Sequence, residues 1–186
     1  MQTKKVQKMV GIAIMSAIVV VLQLLGSFIK FGPVSVSLVL IPIVVGAAMY
    51  GPAAGAVLGG VFSVVVLMQP DTAFFYGVSF FGTVITVLVK GIMAGWLSGL
   101  TFQVLRGKNE WLAVGLAAAV APLVNTGIFA LGSKLFFWDA LTELGGGNAV
   151  VYLFTVMIGF NFLAEFATNV ICSPVILRIL HAVRKH

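Results

Sequence analysis

The chain has 186 residues, of which 61% are hydrophobic and 9% are charged, and its net charge is +6. Soluble globular domains have roughly 45–50% apolar and about 25% charged residues, so this composition excludes an ordinary water-soluble protein. About six membrane helices of roughly 20 residues would fill the length and leave no room for a soluble catalytic domain. We therefore expect a single all-α transmembrane domain over residues 1–186.

Glycine, proline and charged residues divide the chain into six apolar runs, each a predicted transmembrane helix. Turn-forming sequences mark the breaks, as at Lys30-Phe31-Gly32-Pro33 and Gln69-Pro70-Asp71-Thr72. A polar, glycine-rich connection at 139–148 separates the last two runs. The predicted spans cover about residues 6–29, 34–49, 53–68, 78–105, 111–137 and 150–183.

Basic residues are unevenly distributed between the two sets of predicted loops. Because Lys and Arg accumulate in cytoplasmic loops, both termini are predicted to be cytoplasmic. No basic stripe is interleaved with exposed aromatic residues, so the positive charge indicates lipid headgroups and not nucleic acid. Only Lys30 and Lys134 fall near the outer face. The basic residues on the predicted cytoplasmic face are Lys4, Lys5, Lys8, Arg106, Lys108, Arg178, Arg184 and Lys185.

Two full charges, Lys90 and Glu165, lie well inside predicted spans. An ionisable group in hydrocarbon is costly and by default indicates a functional site. With a helical rise of about 1.5 Å per residue, both fall in the outer half of the membrane, together with Asn125 and Asn161. Asn161, Glu165 and Asn169 are spaced by four, so they share one face of the last helix.

These polar residues have two interpretations. Lys90 and Glu165 can form a structural ion pair, with the asparagines bridging helices by hydrogen bonds. Alternatively, Lys90 receives an anionic group of a small ligand from outside, with help from Asn125 and Asn161. Both interpretations hold if Glu165 positions Lys90.

Aromatic side chains lie beside this polar cluster. They are candidates to cover the ligand, namely Phe75, Tyr76 and Phe80.

Glycines spaced by four, at 51, 55 and 59 and at 91, 95 and 99, would let helix backbones approach closely, and such series are more often internal packing contacts than partner sites. Motifs for catalysis are missing. No G-x-x-x-x-G-K-[ST] sequence occurs, and both histidines lie at the predicted cytoplasmic end. We therefore expect neither an enzyme nor a bound cofactor or metal.

Several segments resemble the substrate-binding S components of energy-coupling factor (ECF) vitamin transporters, and the resemblance covers essentially the full length. The segments are AIMSA at 13–17, FGPVSVS at 31–37, LIPIVVGA at 40–47 and YGPAAGA at 50–56. The resemblance implies a bacterial plasma-membrane subunit that binds a vitamin from outside. It also implies assembly with a transmembrane T subunit and two cytoplasmic ATPases.

In that family an alanine pair on the first helix faces the T subunit, and the matching positions here are Ala13 and Ala17. Loops around 27–33 and 69–76 would act as lids. An outer-half lysine suits a carboxylate-bearing vitamin, and pantothenate is the first candidate. If Glu165 neutralises Lys90, a neutral or cationic ligand fits equally. The alternatives are an assembly subunit without a ligand and a small channel, although a channel needs polar residues through both leaflets.

Overall fold

The computed structural model describes residues 2–26, 30–31, 34–35 and 38–184. Two short strands, β1 (Lys30–Phe31) and β2 (Val34–Ser35), pair antiparallel. A 3₁₀ turn covers Pro70–Thr72, and a π-helix, Tyr152–Gly159, continues α8 into α9. The α-helices are α1 (Gln2–Gly26), α2 (Leu40–Tyr50), α3 (Pro52–Leu67), α4 (Ala73–Val78), α5 (Phe80–Leu105), α6 (Glu110–Phe136), α7 (Trp138–Leu144), α8 (Ala149–Val151), α9 (Phe160–Ile171) and α10 (Ser173–Arg184).

Capping residues set the start of the long helices. The side-chain oxygens of Ser79 and Asn109 each accept a backbone N–H three residues on, at 3.2 Å, where α5 and α6 begin. Gly51 has φ of +95°, a conformation that side chains disfavour, and Pro52 follows as the first residue of α3. This Gly-Pro step reverses the chain between α2 and α3.

Four helices in the described part of the chain are long and apolar enough to cross a membrane: Lys5–Gly26, Phe80–Leu105, Glu110–Phe136 and Ala149–Ile171. A fifth candidate is the pair Pro52–Leu67 and Pro70–Val78, which is bent by 77°. The apolar helices Leu40–Tyr50 and Ser173–Ala182 are shorter. The protein is therefore an all-helical membrane protein with four or five candidate spans. Six spans and two cytoplasmic termini stay predictions.

Three predicted element boundaries were wrong. The second helix begins at Leu40 and not at 34, because the alternating Val34-Ser35-Val36-Ser37 has the period of a strand and β2 pairs there. The connection at 139–148 contains α7, whose Leu141 is fully buried. The last run is not one regular helix, since it includes the π-helix and is divided at Cys172, two residues before a proline.

The short helix α2 lies at the centre of the bundle. Eight of its residues are buried, namely Leu40, Pro42, Ile43, Val44, Val45, Gly46, Ala47 and Ala48. They pack in one core with apolar residues of α1, α3, α6 and α10. A second core joins α7 to the π-helix through Phe137, Leu141 and Leu153. The protein therefore keeps α2 enclosed in side chains.

The close approach expected from the glycine series occurs inside the bundle, between α3 and α5. Gly59 faces Gly91, and Gly55 faces Gly95. A Cβ atom on Gly59 would lie 2.6 Å from the carbonyl carbon of Gly91, and one on Gly55 would lie 2.8 Å from that of Gly95. The two backbones thus touch, and Ser63 extends the contact by donating a hydrogen bond to the carbonyl of Val87 on α5 at 2.7 Å.

Candidate functional site

A cavity of about 130 Å³ lies near the end of the bundle where α1, α3 and α6 finish and where α5 begins, which we call the distal end. A cavity needs at least about 10–15 Å³ to hold one water, so this one has room for several waters or a compact ligand. Five rings line it, those of Phe62, Phe75, Phe129, Phe137 and Phe162. Apolar walls with a few polar groups are typical of small-molecule sites.

Lys90 enters this cavity from α5. Its Nζ lies 5.9 Å from the ring centre of Phe62 on α3 and 5.3 Å from that of Phe129 on α6. Both distances are within the range of about 6 Å for cation–π attraction. Glu165 lines the same cavity from α9 and interacts electrostatically with Lys90. The ammonium is therefore held among two ring faces and one carboxylate.

The polar face of α9 meets the cavity through Asn161 and Glu165. The amide nitrogen of Asn161 donates to the carbonyl of Met157 at 3.3 Å, one turn earlier. Asn169 makes the same type of bond, donating to the carbonyl of Glu165 at 2.9 Å, but it does not line the cavity. All three side chains are buried, so the spacing of four does produce a protein-facing stripe.

Three buried oxygen atoms in the cavity wall have no hydrogen-bond partner in the described part of the chain. They are Oγ1 of Thr86, Oδ1 of Asn125 and Oδ1 of Asn161. Buried polar atoms in folded proteins nearly always have a partner, either protein or water. The oxygens of Ser133 and Asn169 also have no partner among the described residues but lie outside the cavity wall, so only the first three are candidate contact points for a bound molecule.

A short segment at 68–79 covers the distal side of the cavity. Gln69 accepts a hydrogen bond from the Gln23 amide at 3.0 Å and donates one to the Gln23 carbonyl at 3.2 Å. Thr72 donates to the carbonyl of Val66 at 2.6 Å, which fastens the turn to α3. Phe75 on α4 packs edge-on against Phe137, with ring centres 5.0 Å apart. The cover is thus tied to α1, α3 and α6.

The structure brings five of the sequence-derived site residues to this one cavity: Lys90, Asn125, Asn161, Glu165 and Phe75. It does not bring the other two there. Tyr76 donates its hydroxyl to the carbonyl of Leu67 at 2.9 Å and stacks on Phe80, whose side chain is 60% exposed.

The two alanines proposed for a partner contact, Ala13 and Ala17, are exposed on α1. Of the two predicted lids, the one around 27–33 lies mostly outside the described residues, while the segment 69–76 covers the cavity as described above.

Sequence reasoning missed Gln23, Gln69, Phe62, Phe129 and Phe137, which all line the cavity. Gln23 carried a usable signal, because a polar amide is out of place in an apolar run, and Gln69 lies in the predicted lid around 69–76. The phenylalanines carried none, since such rings are common throughout the chain. No cluster of three or more His, Cys, Asp or Glu side chains suitable for a metal occurs among the described residues.

A family model described as "ECF transporter, substrate-specific component" matches residues 7–177. The chain belongs to this family. No curated protein and no solved structure matches the chain. As an ECF S component, the protein is a multi-pass membrane subunit that binds substrate for a transporter and is not an enzyme. Membership also implies a small-molecule substrate and association with T and ATPase subunits.

Proposed function

We propose that this S component captures a vitamin or related micronutrient in the distal cavity and delivers it inward with a T subunit and two cytoplasmic ATPases. The membrane is the plasma membrane of a bacterium. The distal end faces outside, and α2 is the sixth span beside the five candidates, with α10 continuing the last span, so that both termini are cytoplasmic. Arg106 and Lys108 then lie in a cytoplasmic loop at the opposite end, as the distribution of basic residues requires.

The observation that carries this proposal is the Lys90 ammonium in a cavity that five phenylalanine rings line. A lysine ammonium has three N–H donors, and ring faces attract its charge without accepting conventional hydrogen bonds. A ligand carboxylate at this point gains a charge-assisted hydrogen bond, which contributes about 1.5–3 kcal/mol. The ligand therefore carries a carboxylate, and pantothenate is the first candidate.

A second ligand class is supported by the acidic residues of the wall. Asp71 and Glu165 both line the cavity, so its wall contains two acidic residues and one lysine. If both are ionised, the lining has an excess of negative charge, which favours a neutral or cationic vitamin. The two ligand classes differ in the charge that they present to Lys90, and a panel of vitamins that contains both classes separates them.

Native mass spectrometry of the detergent-purified chain tests the proposal, followed by identification of any released molecule. A panel of pantothenate, biotin, lipoate, thiamin and pyridoxine would be added to ligand-free protein. A stoichiometric carboxylate vitamin supports the proposal and names the substrate. Binding of thiamin or pyridoxine alone supports the second ligand class. A protein that retains nothing and binds nothing in the panel refutes both and favours an assembly subunit.

A further inference from the structure

We infer that the ligand of this S component presents at least two N–H or O–H donors to the cavity wall, at the oxygens of Thr86, Asn125 and Asn161. This inference rests on the proposed function and narrows the substrate class within it. The ligand combines a compact body that contacts the phenylalanine rings with several hydroxyl, amide or amine hydrogens. A carboxylate vitamin without such donors does not fit.

The orientation of the Asn161 amide follows from its hydrogen bond. The carbonyl of Met157 can only accept, so the nitrogen of the Asn161 side chain must face it at 3.3 Å. The oxygen of the same amide is consequently directed away from the helix backbone, and it is buried without a partner. A hydrogen-bond acceptor at this point can pair only with a ligand group that is a hydrogen-bond donor.

Several neighbouring polar side chains direct hydrogens to other acceptors. The amide nitrogens of Gln23 and Gln69 donate to each other's oxygens across the cover. The Thr72 hydroxyl donates to the carbonyl of Val66. The wall thus presents acceptor oxygens on α5, α6 and α9, with Lys90 as the cationic donor.

An unsatisfied buried acceptor costs about 1–3 kcal/mol, and a ligand donor removes this cost on binding. A ligand with several donors therefore gains affinity that a purely apolar ligand does not. Pantothenate has two hydroxyls and an amide N–H, and biotin has two ureido N–H groups. Lipoate has a carboxylate of the same charge but a dithiolane ring without donors. The three vitamins separate the donor requirement from the charge requirement.

Asn169 provides a matched control for Asn161. Both lie on α9, both donate to a carbonyl one turn earlier, and both keep a buried oxygen without a partner in the described part of the chain. Only Asn161 lines the cavity. Substitution by leucine removes the amide but keeps the number and branching of the side-chain heavy atoms in each case. A general effect of removing a buried amide would appear in both variants, whereas a ligand contact would appear in one.

The experiment measures dissociation constants of the full chain in lipid nanodiscs by isothermal titration calorimetry with the five vitamins of the panel. We expect pantothenate or biotin to bind at least about tenfold more tightly than lipoate, the effect of one good hydrogen bond. We expect Asn161→Leu to weaken the tighter ligand about tenfold and Asn169→Leu to leave it unchanged. Thr86→Val, which removes a hydroxyl at constant shape, gives a second measurement if Asn161→Leu fails to fold.

Each outcome decides the inference. Lipoate binding as tightly as the donor-rich vitamins overturns it while leaving a carboxylate-vitamin subunit intact. Equal losses in Asn161→Leu and Asn169→Leu also overturn it. If thiamin or pyridoxine binds and only Asn161→Leu weakens that binding, the inference is supported and only the assignment of a carboxylate ligand is rejected. Failure of the whole panel overturns the proposed function and this inference together.

Discussion

The contact between α3 and α5 gives the sharpest prediction, because it links bundle stability to the position of the candidate ligand group. Gly91 directly follows Lys90 on α5 and faces Gly59 on α3. A methyl group added by Gly91→Ala would lie 2.5 Å from the carbonyl oxygen of Gly59 and 3.1 Å from Cδ1 of Phe62. The first of these neighbours is backbone, so the helices must separate to accept it.

The expected destabilisation follows from that overlap. Adding a methyl group to a packed core typically costs about 1–3 kcal/mol. For a chain of 150–250 residues, each kcal/mol lowers the Tm by about 2–4 °C, so we expect a decrease of roughly 2–12 °C. Separation also moves Lys90 relative to the Phe62 ring, so ligand affinity should fall with the Tm.

Thermal unfolding in detergent, followed by ligand titration, measures both effects. Gly115→Ala is the matched control, since Gly115 lies within α6 and a Cβ atom there would meet nothing within 4 Å. Alanine is a better helix former than glycine by about 1 kcal/mol, so this variant should be as stable as the original chain or more stable. A Gly91→Ala protein with the Tm and affinity of Gly115→Ala would refute the backbone contact.

Three further predictions concern the site and its surroundings. Lys90→Met should weaken a carboxylate vitamin by about 10- to 100-fold in calorimetry, and the alcohol analogue of that vitamin much less; equal losses would contradict the ion contact. Gln69→Leu removes both side-chain bonds to Gln23, so ligand release measured by stopped flow should accelerate several-fold, and an unchanged rate would exclude a covering role. Ala17→Trp should abolish co-purification with the T subunit while ligand affinity is retained; normal assembly would exclude this face as the partner contact.

The long helices were predictable because their signals are local. The expected spans 78–105 and 111–137 differ by one or two residues from α5 and α6, where apolar runs end at strong turn sequences and begin at Ser79 and Asn109. The ionisable residues Lys90 and Glu165 were equally conspicuous, since charges in hydrocarbon are rare. Their similar depth was predictable, whereas their meeting in one cavity depends on α5 and α9 both packing against α6.

The rest depended on tertiary contacts that no local pattern encodes. Phe137 lies at the end of an apolar run, where interfacial aromatic residues are expected, yet it is 2% exposed because α7 folds over it. Phe62 and Phe129 could not be distinguished from lipid-facing rings until Lys90 was seen between them. The late start of α2 was hidden by the uniform apolarity of residues 38–49, which fits a strand, a loop or a helix buried in protein.

The brevity of α2 has a consequence for how the protein enters the membrane. Its 11 residues rise about 16 Å, roughly half of the hydrocarbon thickness of about 30 Å. A helix of this length is too short to cross the membrane by itself. Only Gly51 separates it from α3. We expect α2 and α3 to be inserted together as a hairpin during synthesis, and α2 to be enclosed only when α6 and α10 arrive. Assembly of the bundle centre therefore waits for the last helix of the chain.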